Sequence, residues 1–146
     1  MAEEFGPITL AMLKHHRIVN KMLTDFERAP ATSKQARDLF NLFKKILETH
    51  FYIEEAHIFP ATDKRNAKEF LEMKNLLKDH NDMRGVVENI QEELSDKEAP
   101  NVEIFKELLF KHEGMEIKSF YPRFDKRLSD EEKREMLDRV NKVRLG

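Results

Sequence analysis

The stretch His50-Phe-Tyr-Ile-Glu54-Glu55-Ala-His57-Ile-Phe-Pro60 decides how this chain is read, because His112-Glu-Gly-Met-Glu116-Ile-Lys-Ser-Phe-Tyr-Pro122 repeats its outline. In each, a glutamate follows a histidine by four residues. On a helix that spacing puts imidazole and carboxylate one turn apart on the same face. Each pair interrupts an apolar stripe. The inward line of the earlier helix reads Leu39, Phe43, Ile46, His50, Glu54, His57, and that of the later one Phe105, Leu108, Leu109, His112, Met115, Glu116. Stripes with a three-to-four residue period predict amphipathic helices.

Two more helices flank these. Pro7 can open the first, since its missing N–H is no loss at a helix start. Ile8, Met12, His15, Val19, Met22 and Phe26 then form one stripe, which Ala29–Pro30 closes. Thr32 or Ser33 can cap the second helix, and the run from Phe59 to Asp63 breaks it. The third carries Phe70, Met73, Leu76, Leu77, His80, Met83, Val87, Ile90 and Leu94, with Gly85 inside it as a place for close backbone approach. Pro122 interrupts the fourth helix, and Ser129 with Glu132 signals a short terminal helix. No alternating strand pattern is present. Short turns between long helices predict an all-α, up-down-up-down four-helix bundle with a short C-terminal helix, as a single domain over residues 1–146.

Composition narrows the function classes. The 146 residues include 26 Lys+Arg against 28 Asp+Glu, which gives no case for nucleic acid or an anionic membrane as partner. Cysteine is absent, so disulfides, thiolate metal sites and a cysteine nucleophile are excluded, and a cytoplasmic location is expected. The N-terminal residues lack an apolar signal segment, and no apolar run approaches the roughly 18 residues that span a membrane.

Each predicted helix places a histidine midway along an apolar stripe. A buried polar group without a partner costs roughly 1–3 kcal/mol. Four histidines and two glutamates at one level of a bundle need a common explanation, and metal ions supply it. Imidazole with carboxylate suits iron, zinc or manganese. On helix one, His15 continues the line Met12–Val19–Met22, whereas His16 shares its face with Thr9, Asn20 and Glu27; His15 is the expected ligand. Tyr52 and Tyr121 fall off the metal-facing positions on this reading.

The two quoted segments resemble the paired motifs of hemerythrin-like, or HHE cation-binding, domains, and the lone histidines of helices one and three complete the likeness from about Ile8 to Pro122. The resemblance implies a four-helix bundle with a non-haem di-iron centre that meets dioxygen at an open coordination position. Carried over, it implies ligands His15, His50, Glu54, His80, His112 and Glu116, with Glu54 bridging. Oxygen-carrying blood hemerythrins have an aspartate five residues after the helix-four histidine, where this chain has Ile117, and a second helix-three histidine where it has Leu76. His57, three residues after Glu54, is the candidate for the missing imidazole. The expected cofactor is therefore two iron ions, and the expected partner dioxygen or a related small diatomic. The expected function is binding, storage or sensing of that ligand or of iron, by a binding protein more than an enzyme. The alternatives are a di-iron oxidase or peroxidase, an iron donor in iron–sulfur cluster repair, and a structural zinc bundle.

Overall fold

In the computed structural model, which describes residues 5–145, the chain is helical, with no strand among the described residues. The helices are α1 (Pro7–Arg28), α2 (Lys34–Ile53), α3 (Ala67–Ser95), α4 (Glu103–Met115), α5 (Tyr121–Arg127) and α6 (Asp130–Lys142). Helix α1 packs on α2 and α3 on α4, and the C-terminal α5 and α6 fold back onto α1.

Local chemistry accounts for most helix ends. Ser33 accepts the Ala36 N–H at the start of α2, while its neighbour Thr32 takes a positive φ of 63° in the turn before it. Asn66 caps α3 by accepting the Glu69 N–H. Ser129 and Glu132 form the reciprocal capping box of α6 that the sequence signals. Helix α1 differs: its N-cap is Gly6, which has no side chain to offer. The carboxylate of Asp125, on α5, takes over. It accepts the Ile8 N–H and the Thr9 N–H at 3.0 Å each and the Thr9 hydroxyl at 2.7 Å. Glycine is required opposite it, since a Cβ at Gly6 would lie 2.3 Å from Asp125 Cγ.

Two wide π-helical turns interrupt the regular helices. They span Glu54–Ile58 and Glu116–Phe120, each beginning at the glutamate of a His-x-x-x-Glu pair. The N–H of Phe59 bonds back to the Glu54 carbonyl, and that of Tyr121 to the Glu116 carbonyl, five residues away in both cases. Pro60 and Pro122 follow one residue later, and proline has no N–H with which to continue the wide ladder.

The apolar interior is in two parts. One gathers Val19, Leu23, Phe40, Phe43, Met83, Ile90, Phe105 and Leu109 between the first four helices. The other gathers Ile8, Met12, Ile58, Leu76, Phe120, Tyr121, Phe124, Met136 and Val140, so α5 and α6 complete it. In α1 the boundary falls between Met12 and Val19; in α3, between Leu76 and Met83. Some expected inward residues lie outside: Leu77 and Met115 are exposed, and Glu69 and Glu72 are buried instead. Among the described residues, nothing beyond its own helix backbone and chain neighbours comes within 4 Å of where a Cβ would stand at Gly85, which serves no close approach.

Candidate metal centre

The polar layer between the two cores is a cluster of imidazoles and carboxylates from all four long helices. His16 comes from α1, His50 from α2 and His80 from α3. His112 comes from α4, and Glu54 and Glu116 open the two wide turns. All six are buried, Glu54, His80 and Glu116 completely. Their donor atoms form two overlapping groups, each with atoms within 4.8 Å of one another: Glu54, His80, His112 and Glu116 in one, His16, His50 and Glu116 in the other.

The carboxylates lie between the histidines. Glu54 Oε1 is 2.9 Å from His50 Nε2, 3.4 Å from His80 Nε2 and 3.9 Å from His112 Nε2. Glu116 Oε1 is 3.0 Å from His16 Nε2, and its Oε2 is 3.4 Å from His112 Nε2. Behind the rings stand two more carboxylates. His80 Nδ1 meets Glu55 Oε2 at 2.7 Å, and His112 Nδ1 meets Asp79 Oδ2 at 3.1 Å. A carboxylate at Nδ1 holds the ring proton there and turns the bare Nε2 inward.

That arrangement leaves acceptors facing acceptors. His80 Nε2, His112 Nε2 and Glu54 Oε1 are all buried without a hydrogen-bond partner among the described residues. Lone pairs converging with no proton between them are costly unless a cation joins them. The electrostatics show the same demand for positive charge, which a proton on His112 meets when no cation does. Burial opposes charge on His112, but its bond to Asp79 and the nearby Glu54 carboxylate outweigh burial and raise its pKa to about 9. Burial likewise opposes the charge on Glu54, yet the neighbouring imidazoles of His50, His112 and His80 hold its carboxyl well below the usual range. Burial holds His16 below the ordinary imidazole value, so the pull on positive charge centres on Glu54 and His112, and the mix of imidazole and carboxylate fits a first-row divalent ion.

Tyr121 belongs to this layer, contrary to its expected place off the metal-facing positions. Its hydroxyl lies 2.5 Å from Glu54 Oε2 and 2.8 Å from Glu116 Oε2. One proton serves one of these oxygens at a time. Burial first, and then Glu54, push the phenol pKa well above its usual value, so the group stays protonated. The wide turn explains the discrepancy. At 3.6 residues per turn, a residue five after Glu116 would point about 140° away from it; the π turn brings position five back over the glutamate. A sequence signal existed: Phe59 and Tyr121 occupy matching places, five after each glutamate and just before each proline.

Of the residues expected as ligands, His50, Glu54, His80, His112 and Glu116 are brought together, and His15 and His57 are not. His16 takes the place assigned to His15. Both histidines fit the stripe, since Met12 to Val19 can be bridged by steps of three then four or four then three. Packing decides: α5 covers the Thr9–His16 side of α1, with the Tyr121 ring 6.2 Å from that of His16. His15 flanks the cluster edge-on to His50, at 5.8 Å between centroids. Burial, then His50 and His16, lower its pKa to about 4. His57 is half-buried outside the cluster, edge-on to the exposed Tyr52 at 5.7 Å. The wide turn rotates it away from the face that a regular helix would give it. Glu113 is a further buried group that spacing did not reveal. It accepts from Asn20 at 3.1 Å, and burial raises its pKa.

No curated protein and no solved structure matches the chain. No described helix is long and apolar enough to cross a membrane. The family model of the hemerythrin HHE cation-binding domain matches residues 8–135, and the chain belongs to that family.

Proposed function

We propose that this chain is a non-haem di-iron protein that binds, stores or senses dioxygen, a related diatomic or iron itself, from an up-down-up-down bundle of its four long helices. The observation that carries the reading is the convergence of His80 Nε2, His112 Nε2 and Glu54 Oε1, buried and without a hydrogen-bond partner among the described residues. The overlap of the two donor groups at Glu116 supports two ions rather than one. Glu54, within reach of histidines on both sides, would be a second ligand open to both ions. Iron in this ligand set supplies reversible electron transfer to a small oxidant.

The chain's own residues do the rest. His16 and His50 would hold one ion and His80 and His112 the other. The apolar cores above and below limit water at the centre, which tunes potential and access. Tyr121 holds a proton between the two carboxylates and can lend a hydrogen bond to whatever negative charge develops there. The excess of imidazole over carboxylate favours a binding role over a carboxylate-rich oxidase. Ferrous loading without oxygen, with elemental analysis, should give two ions per chain. Admission of air should produce charge-transfer bands in the near-ultraviolet and visible that fade under vacuum. Bands that persist irreversibly would replace the reading with an oxidase.

A further inference from the structure

The two halves of the centre are supported differently. In the His80/His112 half, both imidazoles have a carboxylate at Nδ1. Glu55 is in turn held by Arg84 Nη2 at 2.8 Å, and Arg84 by Glu48 at 3.0 Å. The His80 ring is further fixed by stacking on Phe51, at 4.0 Å between centroids and 18° between planes. In the His16/His50 half no described carboxylate stands behind either ring. His50 Nδ1 is buried without a hydrogen-bond partner among the described residues. So are His15 Nδ1, Asn20 Oδ1 and Glu113 Oε2. His15 lies edge-on to His50, and Glu113, hydrogen-bonded to Asn20, feels His16 and His50 among its charged neighbours.

A carboxylate behind a ligating imidazole fixes its tautomer and orientation and makes Nε2 more basic. A ring already locked also loses less rotamer freedom on binding. Both effects favour the same half. We infer that the two halves load in order, the His80/His112 half first and tightly, the His16/His50 half second and exchangeably, with Asp79 and Glu55 as the positioning residues that create the difference. The inference rests on the two-ion reading above. It makes one ion a resident and the other responsive to the surrounding iron concentration.

The test is calorimetric titration of the full chain with ferrous iron alone, without oxygen and against a competing chelator. Wild-type protein should show two steps with dissociation constants at least about tenfold apart. Asp79→Asn should weaken the tighter step about 10–100-fold, the usual effect of losing such a partner, and leave the weaker step in place. Asp79 is one-third exposed, and among the described residues its side chain has His112 as its one hydrogen-bond partner, so the fold should survive, as circular dichroism would verify. Glu55→Gln should act on the same step, and Asp79→Glu should recover part of the loss. Two equal steps in wild type would overturn the loading order and leave the two-ion reading intact. So would an Asp79→Asn effect confined to the weaker step, or none at all. Binding of a single ion would remove the two-ion reading itself, and the loading order with it.

Discussion

The core around Phe43 and the core around Phe124 differ in what closes them. The first is built from stripes of the four long helices: Val19 and Leu23, Phe40 and Phe43, Met83 and Ile90, Phe105 and Leu109. The second takes half its substance from beyond the fourth helix, in Phe120, Tyr121, Phe124, Met136 and Val140. The polar layer lies between them, and its groups divide accordingly. Tyr121 sits in the second core, and α5 covers the side of α1 that carries His16. One core is a generic support. The other also decides which residues face the polar layer.

The largest effect should come from cutting each core in turn. Phe43 and Phe124 are both fully buried. Truncation to alanine should cost about 3–5 kcal/mol at either site. Denaturant unfolding of metal-free protein would measure both losses. The comparison predicts a split in a second readout: Phe124→Ala should also weaken iron binding, because Tyr121 and His16 lose their support, and Phe43→Ala should weaken it far less. Equal losses of iron affinity would erase the distinction between the cores.

The next effect separates the adjacent histidines of α1. His16→Ala removes a group 3.0 Å from Glu116, whereas His15→Ala removes a flanking ring. A hundredfold loss of affinity takes away about 2.7 kcal/mol of ligand-linked stability at saturating metal. The iron-induced rise in melting temperature should shrink by that order in His16→Ala and be nearly retained in His15→Ala. The reverse pattern would return the site to the sequence expectation.

Helix one also tests the second core through its cap. Asp125→Ala leaves the Ile8 and Thr9 N–H groups and the Thr9 hydroxyl without their acceptor. Loss of an N-cap costs about 0.5–2 kcal/mol. Thermal unfolding should register that loss, and Gly6→Ala should reproduce part of it by pushing Asp125 aside. No change in either variant would mean that α5 does not anchor α1.

The helices were legible because their stripes repeat every three to four residues and their caps are local, as at Ser33 and Ser129. Five of the cluster residues were legible because a helix fixes the i, i+4 relation between His50 and Glu54 and between His112 and Glu116, and because His80 interrupts an apolar line. What was not legible depends on helices that depart from regularity or on distant packing. His16 and His15 each complete a turn with Met12 and Val19, and only α5, more than 100 residues away, breaks the tie. Asp125 caps α1 from |i−j| of 117, beyond any local signal. Tyr121 and His57 were misplaced for one shared reason: the turns after Glu116 and Glu54 are wide, and positions counted on a regular helix come out on the wrong face.

The smallest effect therefore carries a clear geometric meaning. On a regular helix, His57 would sit one turn beyond Glu54 on its own face, and His57→Leu would remove a ligand. In the wide turn it points outward, half-buried against an exposed Tyr52. Surface substitutions of this kind usually stay within about 0.5 kcal/mol. His57→Leu should bind the same number of iron ions with the same affinities and the same absorption bands. Phe59, two residues on, makes the contrast within the same turn. It packs against the His80 ring at 5.4 Å, where Tyr121 of the other turn reaches both carboxylates. If His57→Leu instead lost iron, the turn after Glu54 would have to tighten to a regular helix when metal binds. Phe59 would then leave His80, and the correspondence between the two turns would hold for the metal-free protein alone.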